Sequence, residues 1–242
     1  MTPLLVTTAT CVMALGGGLL ALRLTAYRPF VLAFAAGALV ASALIDVIPD
    51  ALDLLSRSGA PLHHHHLMLA CSLGFLAFYL LEEWTHSETP HDSVRVAAWW
   101  ASIWGAAGIG FHSLLDGVAI GEAFHAGLGV GWIVALAVIV HKFADGVSTV
   151  SIIVSTGRST RVANTMLGFT SVAPMAGLGA QALVPLPTSA LALVLGWFAG
   201  VFLYLGAVAL IPAAHAASKS RWLPAATLSG VALVYLIFLA SK

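Results

Sequence analysis

Long apolar runs alternate with short polar clusters along the whole chain. A helix needs roughly 20 apolar residues to cross a bilayer. Runs at about 4–22, 29–55, 66–84, 97–125, 130–156, 162–184, 189–213 and 222–240 reach or exceed that length. The pattern predicts eight transmembrane helices at those positions, in one membrane domain spanning 1–242. The alternating short strands of a membrane barrel are absent from the pattern. The expected fold class is therefore all-α, a polytopic membrane protein. The second, fourth and fifth runs exceed the minimum, so their ends should leave the hydrocarbon or tilt.

Composition agrees with the pattern. Of 242 residues, 60% are hydrophobic and 8% charged, and the mean hydropathy is +0.99. A water-soluble domain could not cover its surface with so few polar groups. Charge placement adds an orientation. With the amino terminus outside, the inner loops hold Arg23, Arg28, Arg95, Arg158, Arg161, Lys219 and Arg221, against Arg57 and Lys242 outside. That bias favours both termini on the outer side; the expected location is a plasma (cytoplasmic) membrane, crossed many times. The amino end lacks a basic leader segment, so its first run is expected to span the membrane. Cys11 and Cys71 lie inside apolar runs and read as small core residues. No nucleic-acid partner is expected; the lipid bilayer is one.

Two polar motifs interrupt the apolar pattern near the middle of the fourth and fifth runs. They are His112-Ser113-Leu114-Leu115-Asp116-Gly117-Val118 and His141-Lys142-Phe143-Ala144-Asp145-Gly146-Val147. Both read His-x-x-x-Asp-Gly-Val. Helical residues i and i+4 share a face, so each run presents an imidazole and a carboxylate on one stripe. Such groups are costly in hydrocarbon unless paired. The linker Ala126-Gly127-Leu128-Gly129 is short, which makes the two helices adjacent and antiparallel. His and Asp are about 6 Å apart along each axis. Asp116 should then stand level with His141, and His112 with Asp145. Two nitrogens and two oxygens around one space suit Zn²⁺ or a similar borderline divalent cation. The bland alternative is two structural pairs locking the helices. Gly117 and Gly146 would let backbones approach closely.

Other residues carry weaker signals. Asp46, one turn before Pro49, either reaches the interface or lines the outer approach to the site. Glu122 and His125 either line an entrance or reach the headgroups. His63, His64, His65 and His66 form an outer loop that is solvated or collects metal. His86 and His91, with Glu88 and Asp92, lie in an inner loop that is ordinary or receives metal on exit. Lys142 sits mid-membrane, where an unpaired ammonium is costly. It should neutralise part of the Asp116 and Asp145 charge, or else point away.

These residues resemble the ZIP (Zrt/Irt-like) family of divalent-metal transporters over nearly the whole chain. The match rests on Leu44 to Ala51, similar to the family's Leu-His-Leu-Leu-Pro-Glu-Ala pattern, and on Gly74-Phe75-Leu76 to Glu82. It rests above all on His112 to Gly121, and further on Gly200 to His215. The resemblance implies an elevator-like or rocking carrier with metal between the fourth and fifth helices. It also implies that a bundle of the first and last spans moves against the metal-bearing spans. By resemblance His112, Asp116 and Asp145 are primary ligands, and His141 lies at or just outside that site. Many members hold a second ion. Here Ser113 stands at the family's Asn position, Lys142 at a carboxylate position, Ala173 at a Glu position and Asp46 at a common His position. A binuclear centre would lack those ligands.

The expected function is transport of divalent metal, zinc first, toward the cytoplasm, with the ion as cargo and no enzyme activity. Fe²⁺, Mn²⁺, Co²⁺ and Cd²⁺ are alternatives, because carboxylates and imidazoles suit all of them to some degree. An intramembrane metalloprotease would need a Glu beside a ligating His, where Ser113 and Lys142 stand. A haem protein using His112 and His141 would place aspartates beside the iron. A homodimer is left open.

Overall fold

The computed structural model describes residues 1–86, 93–181 and 187–240. It is all-helical, with no strand among the described residues. We label the helices α1 (Thr2–Arg23), α2 (Arg28–Arg57), α3 (His64–His86), α4 (Ser93–Ala126), α5 (Leu128–Ser155), α6 (Thr160–Gln181), α7 (Thr188–Ala217) and α8 (Leu223–Ala240). Helices α1 to α5 and α7 contain stretches long and apolar enough to cross a membrane. The apolar stretch of α8, Leu223–Leu236, is shorter. Helix α6 carries Thr160, Asn164, Thr165, Thr170 and Ser171, and Thr170 and Ser171 are buried against neighbouring helices.

Helices α2 and α7 each contain a wide π turn, at Ser42–Val47 and Tyr204–Leu210. Each turn lies just ahead of a proline, Pro49 and Pro212. Proline has no N–H for the helical ladder, and its ring crowds the carbonyl four residues back. A locally widened turn accommodates both effects without ending the helix.

The helices pack as two sets. Helices α1, α4, α5 and α6 contact one another, whereas α2 packs on α7 and α8, and α3 on α7. Glycines set the closest approaches within each set. A Cβ at Gly146 of α5 would overlap the Ala14 carbonyl of α1, and one at Gly17 the Phe143 carbonyl. The same reciprocal contact joins Gly117 of α4 to Pro174 and Gly177 of α6 to Leu114. In the second set it joins Gly37 with Gly230, and Gly74 with Gly200. Across the seam the contacts are side chains: Gly105 and Gly108 of α4 meet Leu205, Phe198 and Val201 of α7.

This grouping corrects the expected bundle of first and last spans. Helix α1 joins the helices bearing the twin motifs, because Gly17 and Gly146 let it dock on α5 at backbone distance. Helix α8 docks on α2 through Gly230 and Gly37 in the same way. Apolar residues fill the seam, including Leu32, Ala36 and Leu39 of α2, Val147 and Ile152 of α5, and Phe202 and Leu205 of α7. Helix α5 is the central element, with 81% of its apolar window buried against 17% for α3.

Candidate metal centre

The twin motifs meet where the sequence places them, midway along α4 and α5. His112, Asp116, His141 and Asp145 are all buried, and one ligand atom from each lies within 4.8 Å of the others. His112 Nε2 stands 3.6 Å from Asp116 Oδ1, and His141 Nε2 3.5 Å from Asp116 Oδ2. A tetrahedral zinc with bonds near 2.0 Å has ligand atoms about 3.3 Å apart. The two observed separations are close to that edge. The imidazole rings lie 5.9 Å apart between centroids. Phe202 of α7 stands edge-on to His112 at 5.1 Å and closes the apolar wall beside it.

Two buried imidazole nitrogens, His112 Nδ1 and His141 Nε2, have no hydrogen-bond partner among the described residues. A buried polar atom left unpaired costs about 1–3 kcal/mol. His141 Nε2 faces into the four-residue group, and a bound cation there would satisfy it.

Lys142 does not point away. Fully buried, its Nζ stands 2.5 Å from Asp116 Oδ2 and 2.6 Å from Asp145 Oδ2, and it donates to Ser113 Oγ at 2.8 Å. One ammonium thus bridges the two carboxylates that could take metal. Its position also changes the expected rungs. Asp116 stands beside His141 as the antiparallel geometry requires. Asp145 instead pairs with Lys142, one turn back on its own helix, and His112 stands beside Asp116 of its own helix. A charged donor within reach takes the carboxylate ahead of a neutral ring.

Asp46 reaches the centre from α2. Its Oδ2 lies 3.4 Å from His141 Nδ1, and its side chain is about a quarter exposed. It stands outside the four-residue group. In sequence Asp46 either reaches the interface or lines the outer approach; its contact with His141 depends on how α2 packs on α5.

The other candidates with described side chains, Glu122 and His63 to His66, are not part of the four-residue group. Glu122 accepts a hydrogen bond from Gln181 Nε2 at 3.0 Å, and the same amide lies 2.9 Å from His125 Nδ1, which ties the ends of α4 and α6. His63, His64, His65 and His66 are exposed, and the backbone N–H of His63 donates to His66 Nδ1 at 3.1 Å. Helix α3 begins at His64, so three of these histidines form its first turn, not a loop. His86 ends α3, but its side chain lies outside the described residues, as does His91 altogether.

Known proteins point the same way. Residues 85–239 match the family model described as ZIP zinc transporter. Over 105 residues the chain is 30% identical to zinc transporter zipt-7.1 of Caenorhabditis briggsae. That stretch covers 42% of this chain and 27% of the relative's length.

Proposed function

The chain belongs to the ZIP zinc transporter family, and on that premise we propose that it carries a divalent metal ion, zinc first, across a membrane toward the side of its basic loops. The carrying observation is the group of two imidazoles and two carboxylates buried between α4 and α5. Such a group is costly to keep in an apolar bundle and matches the donor preferences of Zn²⁺. In this reading all eight helices cross the membrane, both termini lie outside, and the membrane is the plasma membrane.

His112, Asp116, His141 and Asp145 take the ion from its water shell. The uncharged core residues around them keep bulk water out, so ligand exchange replaces hydration. The two helix sets then shift against each other along the side-chain seam, while the glycine contacts keep each set rigid. The ammonium of Lys142 supports a one-ion centre. It occupies the carboxylate edge where a second cation would otherwise stand, and it partly neutralises two acidic groups when the cargo is gone.

Flux of Zn²⁺, Fe²⁺, Mn²⁺, Co²⁺ and Cd²⁺ into liposomes holding the purified protein tests this reading. Saturable uptake with zinc preferred is the expected result. Absence of uptake for every ion would refute carriage, and preference for another ion would replace zinc.

A further inference from the structure

His141 faces a carboxylate on each side of the seam. Its Nε2 faces Asp116 in the same helix set at 3.5 Å, and its Nδ1 faces Asp46 of the other set at 3.4 Å. Asp46 lies within the π turn of α2, Ser42–Val47. A π turn carries an extra residue relative to an α turn, so it changes the face that its residues present. Pro49 just beyond holds that widened turn in place. A second polar tie crosses the same seam, where Arg28 of α2 donates to the Val154 carbonyl of α5.

A ligating histidine generally gives its second nitrogen to a carboxylate or carbonyl. That partner fixes the ring orientation and tautomer and makes the ligating nitrogen a better donor. Here the carboxylate is on α2, whose closest packing partners are α8 and α7, while His141 belongs to the glycine-locked set of α1, α4, α5 and α6.

We propose that Asp46 is a positioning residue for His141, supplied from the opposite helix set, and that it makes the affinity of the α4–α5 centre depend on how the two sets are seated. With the sets seated as here, His141 is oriented toward the ion and the centre binds tightly. Movement of one set along the other separates Asp46 from Nδ1, and the ion is then held by a freer, weaker imidazole. Release is thereby coupled to movement without any ligand having to leave first. The proposal rests on the reading of this centre as the cargo site.

A double-mutant cycle on the full chain in detergent tests it, with the Zn²⁺ dissociation constant of wild type, Asp46→Asn, His141→Ala and the double variant as readout. Loss of an orienting partner costs roughly 10–100-fold in metal affinity. Asp46→Asn should weaken binding by that factor in the wild-type background and by less than about twofold when His141 is already Ala. In liposomes Asp46→Asn should raise the uptake KM and leave maximal flux unchanged or higher. An equal loss in both backgrounds would mean that Asp46 acts on the ion itself and would overturn the proposal. So would an unchanged affinity in Asp46→Asn, or in His141→Ala. If Asp46→Asn is not recovered folded, Asp46→Ala takes its place in the cycle with the same criteria. Failure of the wild type to bind zinc at all would instead refute the cargo reading, before any variant is compared.

Discussion

Replacing Lys142 with Ala removes the ammonium that bridges Asp116 and Asp145, and two opposite effects follow. The empty protein should become less stable. Breaking a buried charge pair by deleting one partner costs about 3–5 kcal/mol, and Lys142 is fully buried on two carboxylates at 2.5 and 2.6 Å. Metal binding should become tighter. In the wild type one oxygen of each carboxylate is held by Nζ, so an incoming cation must use the other oxygens or push the ammonium aside. Unit charges 4 Å apart interact by about 4 kcal/mol at an effective dielectric constant near 20. Water entering the emptied space returns part of that. A net gain of about 1.5–3 kcal/mol remains, which is roughly ten- to a hundredfold in Kd.

Both effects are measured together by calorimetric titration with Zn²⁺ and by thermal unfolding with and without the ion. The metal-free variant should melt below the metal-free wild type. Added zinc should raise its melting temperature more than it raises that of the wild type. One ion should bind at this centre in the wild type. An unchanged Kd in Lys142→Ala, together with an unchanged metal-free melting temperature, would rule out the bridging role of the ammonium. Two ions at the wild-type centre would refute it equally.

Two further predictions concern the ends of the bundle. Changing His63, His64, His65 and His66 to Ser should raise the apparent KM for uptake at low metal and leave maximal flux nearly unchanged; loss of maximal flux would make these residues structural. A cysteine introduced at Ser58 should react with an impermeant thiol reagent from outside the cell, and one at Ser159 should not. The reverse labelling would invert the transport direction.

What the sequence could carry is visible at the centre itself. The repeated His-x-x-x-Asp-Gly-Val motif and the short linker after α4 were enough to align Asp116 with His141, because helical periodicity and antiparallel packing are local consequences of sequence. The partner of Asp145 was not legible in the same way. It depends on the Lys142 side chain reaching forward along its own helix to Asp145 and across to Ser113 on α4, a choice that only the packed bundle decides. Asp46 was a carboxylate of uncertain purpose for a related reason. Periodicity counts 3.6 residues per turn and cannot register the wider turn at Ser42–Val47. The pairing of α1 with α5 and of α8 with α2 was equally hidden, since single glycines such as Gly17 and Gly230 announce close packing but not the helix they pack against. The helix ends also run past the apolar runs, α2 to Arg57 and α7 to Ala217.

The proposed centre holds one divalent ion on His112, Asp116, His141 and Asp145 between α4 and α5. X-ray absorption at the zinc edge, on purified protein loaded with one equivalent of Zn²⁺, tests it most directly. The loaded protein should show a first shell of about four nitrogen and oxygen donors near 2.0 Å with the scattering signature of two imidazoles, lost in Asp116→Ala. A shell of six oxygens without imidazole scattering, or an unchanged spectrum in Asp116→Ala, would contradict it.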